Sequence, residues 1–273
     1  MNYRHAYHAG NFADVCKHIV LVTLLDALLA KTSAITYLET HAGRGSYSLH
    51  SNESEKKREY ESGILRLLAY ATATPPPISI QHYITCIHSS NPPDTLCYYP
   101  GSPMIAQRLL RGQDKLVLCE LHPEECRYLK ENLASANTAI HHVDGYLGAK
   151  AFLPPKTPRG LLHIDPPFEQ LNEFERIETV LGTALKHWRN GPIMIWYPIK
   201  DRKTVEKFQR TLKTHDTECC IMDFFMPAHT APTALLGCGI ALINPPWTAT
   251  EALEKSVLPY LQQALDLKAA HLF

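Results

Sequence analysis

No window of the sequence approaches eighteen uninterrupted apolar residues, so none reads as a membrane-spanning helix. The opening Met1-Asn2-Tyr3-Arg4-His5 lacks the apolar core of a secretory signal. The eight cysteines form no C-x-x-C pair and several fall inside apolar runs, so they read as reduced core residues. No histidine or cysteine cluster has ligand spacing, and no metal is expected. Net charge is absent too, with 27 Lys and Arg against 27 Asp and Glu. That balance favours neither nucleic acid nor membrane, so an RNA partner would have to meet a local patch. The expectation is a cytoplasmic protein. Its 273 residues, 45% hydrophobic, suffice for one large α/β domain or one domain with an insertion.

What is present centres on Leu161-Leu162-His163-Ile164-Asp165-Pro166-Pro167-Phe168. The apolar run has the length and branching of a buried strand, and two prolines without N–H groups end it at a carboxylate. Asp165 is thereby placed at a strand's carboxyl end, the edge where open α/β sheets bind ligands. A carboxylate, two carbonyls fixed by proline rings and the Phe168 face suit a flat heterocycle bearing an amino group. The stretch is similar to the Asp/Asn-Pro-Pro-aromatic motif of amino-group methyltransferases.

Other segments carry weaker signals. Residues 3–14 are dense in aromatic, cationic and imidazole groups, and from Ala13 to Ala30 apolar residues recur at helical spacing, which sets Lys17 and His18 near a helix start. Ala34 to Glu39 reads as a strand running into His41-Ala42-Gly43-Arg44-Gly45, a turn whose glycines let backbone approach a ligand. No Lys-Ser/Thr follows these glycines, which disfavours a P-loop. Residues 46–91, with a charged run, two helical patterns and Pro75-Pro76-Pro77, read as an inserted helical subdomain within a domain formed by 1–45 and 92–273. Glu120 ends the next strand, where a doubly wound fold binds ribose hydroxyls. Asp144-Gly145 ends another, which sets a further carboxylate at that edge. Asp201 to Lys213 reads as a helix rich in cations: a solvated face or a phosphate-contacting one.

Taken together, several blocks closely resemble the RlmJ family. They are Tyr3-Arg4-His5 through Lys17-His18, Thr40-His41-Ala42-Gly43, Tyr98-Tyr99-Pro100-Gly101-Ser102-Pro103, Glu120-Leu121-His122-Pro123, Asp144-Gly145, Asp165-Pro166-Pro167, Trp196-Tyr197-Pro198 and Asn244-Pro245-Pro246-Trp247. They run in order along nearly the whole chain. Glu39 and Phe168 depart from the aspartate and tyrosine expected there.

The resemblance implies a Rossmann-like S-adenosylmethionine-dependent methyltransferase, with a mainly parallel seven-stranded sheet, acting on N6 of an adenine in 23S ribosomal RNA, as a monomer. Asp165, Pro166 and Phe168 would be catalytic. Lys17, His18, His41, Gly43, Ser102, Glu120, Asp144, Gly145 and Asp165 would hold the cofactor, and Tyr3 and Phe168 the substrate. Two rivals stand: the same chemistry on DNA adenine or a glutamine side chain, and an RNA-binding protein without catalysis. Asn244-Pro245-Pro246-Trp247 is a second Asn-Pro-Pro-aromatic sequence, expected to end the last strand and pack its indole beneath the final helix.

Overall fold

The computed structural model describes residues 4–226 and 235–272. In chain order its strands are β1 (Thr36–Glu39), β2 (Ser46–Ser48), β3 (Tyr98–Pro100), β4 (Lys115–Cys119), β5 (Thr138–His141), β6 (Gly160–Ile164), β7 (Ile193–Ile199), β8 (Cys219–Phe225), β9 (Gly237–Ile243) and β10 (Ala269–Leu272). The helices are α1 (Phe12–Leu29), α2 (Asn52–Lys57), α3 (Ile64–Ala73), α4 (Ile78–His88), α5 (Ser102–Leu109), α6 (Pro123–Leu133), α7 (Gly145–Phe152), α8 (Glu173–His187), α9 (Arg202–Leu212), α10 (Trp247–Ala252) and α11 (Leu258–Leu265).

Eight strands make the main sheet, in the order β10-β8-β9-β7-β6-β1-β4-β5. From β5 to β7 neighbouring strands are parallel, while β9 runs antiparallel between β7 and β8. Seven of these strands reproduce the expected mainly parallel sheet with one reversed strand. The eighth, β10, was not expected from sequence: it pairs antiparallel with β8 after the final helix and occupies that edge.

Side chains alternate across the sheet with period two, as a doubly covered sheet requires. Tyr37, Leu161, Met194, Ile240 and Leu242 face a core shared with α1, α4, α5 and α11. Leu38, Leu162, Ile164, Ile195 and Ala241 face a second core under α7, α8 and α9.

Helix α1 sits inside the first core. Its residues from Phe12 to Leu25 are all buried, polar ones included. Such a helix has no solvent face on which to leave a charge, so Asp14 and Lys17 must find partners indoors. Asn11 starts it by accepting a hydrogen bond from the Asp14 N–H at 2.9 Å.

Residues 46–91 contain β2, α2, α3 and α4, and the segment is closed by β2 pairing antiparallel with β3. Ile64, Leu67, Ile80, Tyr83 and Ile87 from α3 and α4 join the core around α1. Of the charged run before them, Lys57 pairs with Glu59 and Arg58 with Glu61.

Candidate active site

The carboxyl ends of β1, β4, β6 and β7 open into one cavity of about 960 Å³. Lys17, His18, His41, Gly43, Ser102, Glu120, Asp144, Gly145, Asp165, Pro166 and Phe168 all line it. Tyr3 lies outside the described residues. The topology brings these residues together from positions far apart in sequence, because each follows a strand or opens a helix at the same sheet edge.

Asp165 follows β6, and its Oδ2 accepts from the Lys17 ammonium at 2.8 Å. The same ammonium lies 2.9 Å from Asp14 and 5.8 Å from the centre of the Trp196 ring. Asp14 in turn holds His5 Nε2 at 2.9 Å and the Gly10 N–H at 3.0 Å. Burial works against charge on both members of the Asp14–Lys17 pair. Even so, His5 and Lys17 hold the Asp14 carboxyl well below the usual carboxylate range, and Asp14 and Asp165 hold Lys17 well above the usual lysine value. A charged network thus runs from the N-terminal segment to Asp165. Asp165 Oδ1 has no protein partner among the described residues.

After the prolines, Phe168 takes φ +50°, a left-handed conformation unusual for a bulky side chain. Its ring meets Phe174 and Trp196 edge-on, with centroids 5.0 and 6.0 Å away. Backbone strain of this kind collects at functional sites.

On the β4 side, Glu120 receives the Gly43 N–H at 2.8 Å and the His122 N–H at 2.7 Å, one on each oxygen. Burial raises its pKa against the pull of those two N–H groups. Each oxygen keeps a lone pair for a hydroxyl. Gly43 has φ +61°, and Gly145 packs so closely that a Cβ there would lie 1.8 Å from the Thr40 carbonyl oxygen. Gly145→Ala should therefore push α7 off the glycine turn, lowering stability by about 1–3 kcal/mol and weakening cofactor binding. Denaturant titration and calorimetry read both effects, and a variant unchanged in the two would mean that α7 moves freely.

Asp144 caps α7 by accepting from the Tyr146 N–H at 2.8 Å, and its other oxygen binds Arg176 at 2.8 Å. His41 hydrogen-bonds Thr40 Oγ1 at 2.8 Å and meets the Tyr146 ring edge-on. Burial pushes the His41 pKa from 6.5 down to about 4, although Asp165 and Asp144 oppose the shift. As pH falls through 6.5 the unfolded chain takes up this proton, whereas the folded chain does so only near 4. His41 thus adds stability that is complete above pH 6.5 and lost progressively between 6.5 and 4. Melting curves across that window should fall less steeply for His41→Gln, and parallel curves for the two proteins would refute the assignment.

His18 sets its Nδ1 against the Tyr99 hydroxyl at 2.8 Å, and Tyr99 meets the Tyr83 hydroxyl at 3.0 Å. If Tyr83 donates to Tyr99 and Tyr99 to His18, both buried hydroxyl protons are used and the imidazole proton resides on Nε2. The opposite direction strands the Tyr83 proton. Nε2 has no partner among the described residues. Burial, with the Lys17 charge beside it, pushes the His18 pKa well below its ordinary value.

Two sequence expectations change. Glu39 is fully buried and does not line the cavity; it accepts from Ser102 Oγ and, at 3.0 Å, from the Tyr37 hydroxyl. It therefore acts on the cavity only through Ser102. Asn244-Pro245-Pro246-Trp247 follows antiparallel β9 and so falls at the opposite sheet edge from Asp165. Its Trp247 is 70% exposed at the start of α10 rather than packed beneath the last helix. Sequence reasoning gave no site role to Asp14, His5, Trp196 or Arg176. The available signal was the i,i+3 pair of opposite charges, Asp14 and Lys17, inside an otherwise apolar helix.

Against known proteins, residues 32–272 match the family described as ribosomal RNA large subunit methyltransferase D, RlmJ. The chain belongs to the RlmJ family. The ribosomal RNA large subunit methyltransferase J of Haemophilus influenzae is 38% identical over 97% of this chain and 94% of its own length. The Escherichia coli K12 protein of the same name is 34% identical over the same shares. A Legionella pneumophila crystal structure superposes with a TM-score of 0.88 at 35% identity, covering 97% of both chains. RlmJ membership makes the chain a ribosomal RNA methyltransferase of Rossmann-like fold. Among the described residues no helix is long and apolar enough to cross a membrane, and no group of three or more His, Cys, Asp or Glu could hold a metal ion.

Proposed function

We propose that the chain transfers a methyl group from S-adenosylmethionine to N6 of one adenine in 23S ribosomal RNA. The observation that carries this reading is the Asp165 carboxylate at the open end of β6, fixed through one oxygen by Lys17 and with Phe168 beside it.

The cavity's donor set fits the cofactor. Glu120 suits the ribose hydroxyls through its two spare lone pairs. His18 Nε2–H, buried at the cavity wall without an acceptor among the described residues, suits the carboxylate of the methionine end. Gly43 and Gly145 permit close backbone approach, and Asp144, already bound to Arg176, borders the region assigned to the adenine. When bound, S-adenosylmethionine supplies an electrophilic methyl group on its sulfonium.

The chain's own residues handle the base. Adenine N6 is a poor nucleophile because its lone pair is delocalised into the ring. Asp165 Oδ1 and the Pro166 carbonyl accept its two N–H bonds, which favours a pyramidal nitrogen with its lone pair directed at the methyl group. Phe168 stacks on the extruded base, returning about 1–3 kcal/mol of an unstacking cost of a few kcal/mol. After transfer N6 carries one proton too many, and Asp165 is the carboxylate within reach to accept it. By family resemblance Tyr3 belongs to the substrate side. The protein works in the cytoplasm as a monomer.

The test is to incubate the protein with labelled S-adenosylmethionine and protein-free large-subunit RNA, then identify the modified nucleoside. N6-methyladenosine at one position is expected. Label in DNA alone would move the substrate class, and no label in RNA, ribosomal particles or DNA would leave a binding protein.

A further inference from the structure

We infer that the exposed face of α9, together with Lys200, is the surface on which the RNA phosphate backbone docks. The inference rests on the methyltransferase reading above and assigns its macromolecular partner to a place on the molecule.

Within residues 200–213, Lys200, Arg202, Lys203, Lys207, Arg210 and Lys213 face two acids, Asp201 and Glu206, in a chain whose total charge is zero. All six cations are exposed, whereas Val205, Phe208 and Leu212 are buried. At about 100° per residue the helical cations fall within an arc of roughly 140°, opposite the buried side chains. They form one stripe.

The stripe differs from three other charged surfaces of this chain. On α6, Arg127 pairs with Glu131 at 3.0 Å; near α10, Lys255 pairs with Glu251 at 2.6 Å; beyond α5, Arg111 pairs with Asp114 at 2.9 Å. A solvated face ordinarily alternates its charges in this way. None of the six cations at α9 makes a salt bridge among the described residues. Asp201 is occupied as the helix cap, accepting the Thr204 N–H at 2.9 Å and its hydroxyl at 2.7 Å. Like charges crowded on one helix repel, and that cost is relieved when a polyanion lies across them.

Position selects the partner. Lys200, Pro198 and Trp196 line the cavity on its β7 side, next to Phe168. On the β4 side the lining carries Glu124, Glu125 and the buried Glu120, with Glu125 paired to Arg44. A polyanion is turned away from that lining and drawn to the β7 side. From the mouth, the eleven residues of α9 extend about 16 Å at 1.5 Å per residue. That is the rise of about five nucleotides along one strand of a duplex. A strand lying on α9 has its neighbouring base at the cavity mouth, where Phe168 and Asp165 receive it.

The decisive comparison is between the parent protein and the triple variant Lys203→Gln/Lys207→Gln/Arg210→Gln. A control triple, Arg127→Gln/Lys130→Gln/Lys255→Gln, removes the same charge elsewhere. Binding of a labelled 23S fragment is followed by fluorescence anisotropy at several salt concentrations, alongside turnover. The α9 variant should bind RNA at least about tenfold more weakly, with the salt slope reduced by about two to three. Its KM should rise accordingly, while kcat, S-adenosylmethionine affinity and thermal midpoint stay at parent values. The control should bind RNA like the parent.

Equal RNA affinity and salt slope in the parent and the α9 variant would overturn the docking surface, whatever the turnover. So would an α9-dependent affinity for vesicles containing anionic lipid that RNA does not share. An intact docking result without methylation of any RNA would instead count against the catalytic reading alone.

Discussion

Asp165→Ala should abolish methyl transfer, with turnover down by at least about 10²–10⁴-fold, while S-adenosylmethionine should still bind and the fold should survive. Survival follows from the ion-pair geometry. Lys17 keeps its contact with Asp14 at 2.9 Å when Asp165 is gone, so no buried ammonium is stranded. Asp165→Asn falls between the two, because its amide oxygen still accepts one N6 hydrogen bond while its negative charge is lost. Single-turnover kinetics with labelled cofactor, beside calorimetric cofactor affinity, separate chemistry from binding. Parent-like turnover in the alanine variant would remove Asp165 from the mechanism.

Lys17→Met has the second large effect and harms both stability and rate. The ammonium is buried and shared by two carboxylates, at 2.9 Å from Asp14 and 2.8 Å from Asp165. Removing one member of a buried charged group costs about 3–5 kcal/mol, because the remaining charge stays uncompensated. Here the loss falls first on Asp14, which retains His5 and the Gly10 N–H. Asp165 also loses the contact that sets its orientation, and turnover drops with it. The double variant Lys17→Met/Asp14→Asn distinguishes these roles. It should recover a good part of the stability, since the stranded charge is gone, yet remain slow, since Asp165 is still unheld. Recovery of both together would mean that Lys17 acts on the fold only.

Much of this architecture was legible because it obeys local rules. The β6 run from Gly160 to Ile164 is apolar except for one histidine and stops at Asp165-Pro166-Pro167, so its sheet edge and its ligand-facing end could both be read. The extent of α1 matched its apolar spacing, but its burial on every side did not follow from one stripe of residues. The burial of α1 depends on α4, α5 and α10 packing against it, and that of Asp14 and Lys17 on distant Asp165 and Trp196; no short window of sequence carries either. Helix α7 escaped notice because Gly145 and Gly148 are poor helix formers; the Asp144 cap and the packing of Tyr146 and Ala149 override them. Strands β2 and β3 are three residues each, and their pairing depends on a tertiary closure across the insertion. Glu39, the departure from the expected aspartate, is drawn into the core by its hydrogen bonds to Ser102 and Tyr37, which its place at a strand end did not reveal. Trp247 is exposed because α10 starts at that residue, with the indole outside.

The burial of α1 also sets an order for biogenesis. This helix precedes every strand of the sheet, yet it packs against β9 and α10, the latter beginning at Trp247. While the ribosome is still making the second half of the chain, α1 can meet α4 and α5 but not β9 or α10, so its apolar surface is incompletely covered, and Lys17 has no Asp165. An apolar helix waiting in this way is a natural client for a chaperone that shields nascent hydrophobic segments. Lys17 therefore meets Asp165 late in synthesis, and a product truncated before β9 and α10 should be inactive even when it contains Asp165 and both prolines.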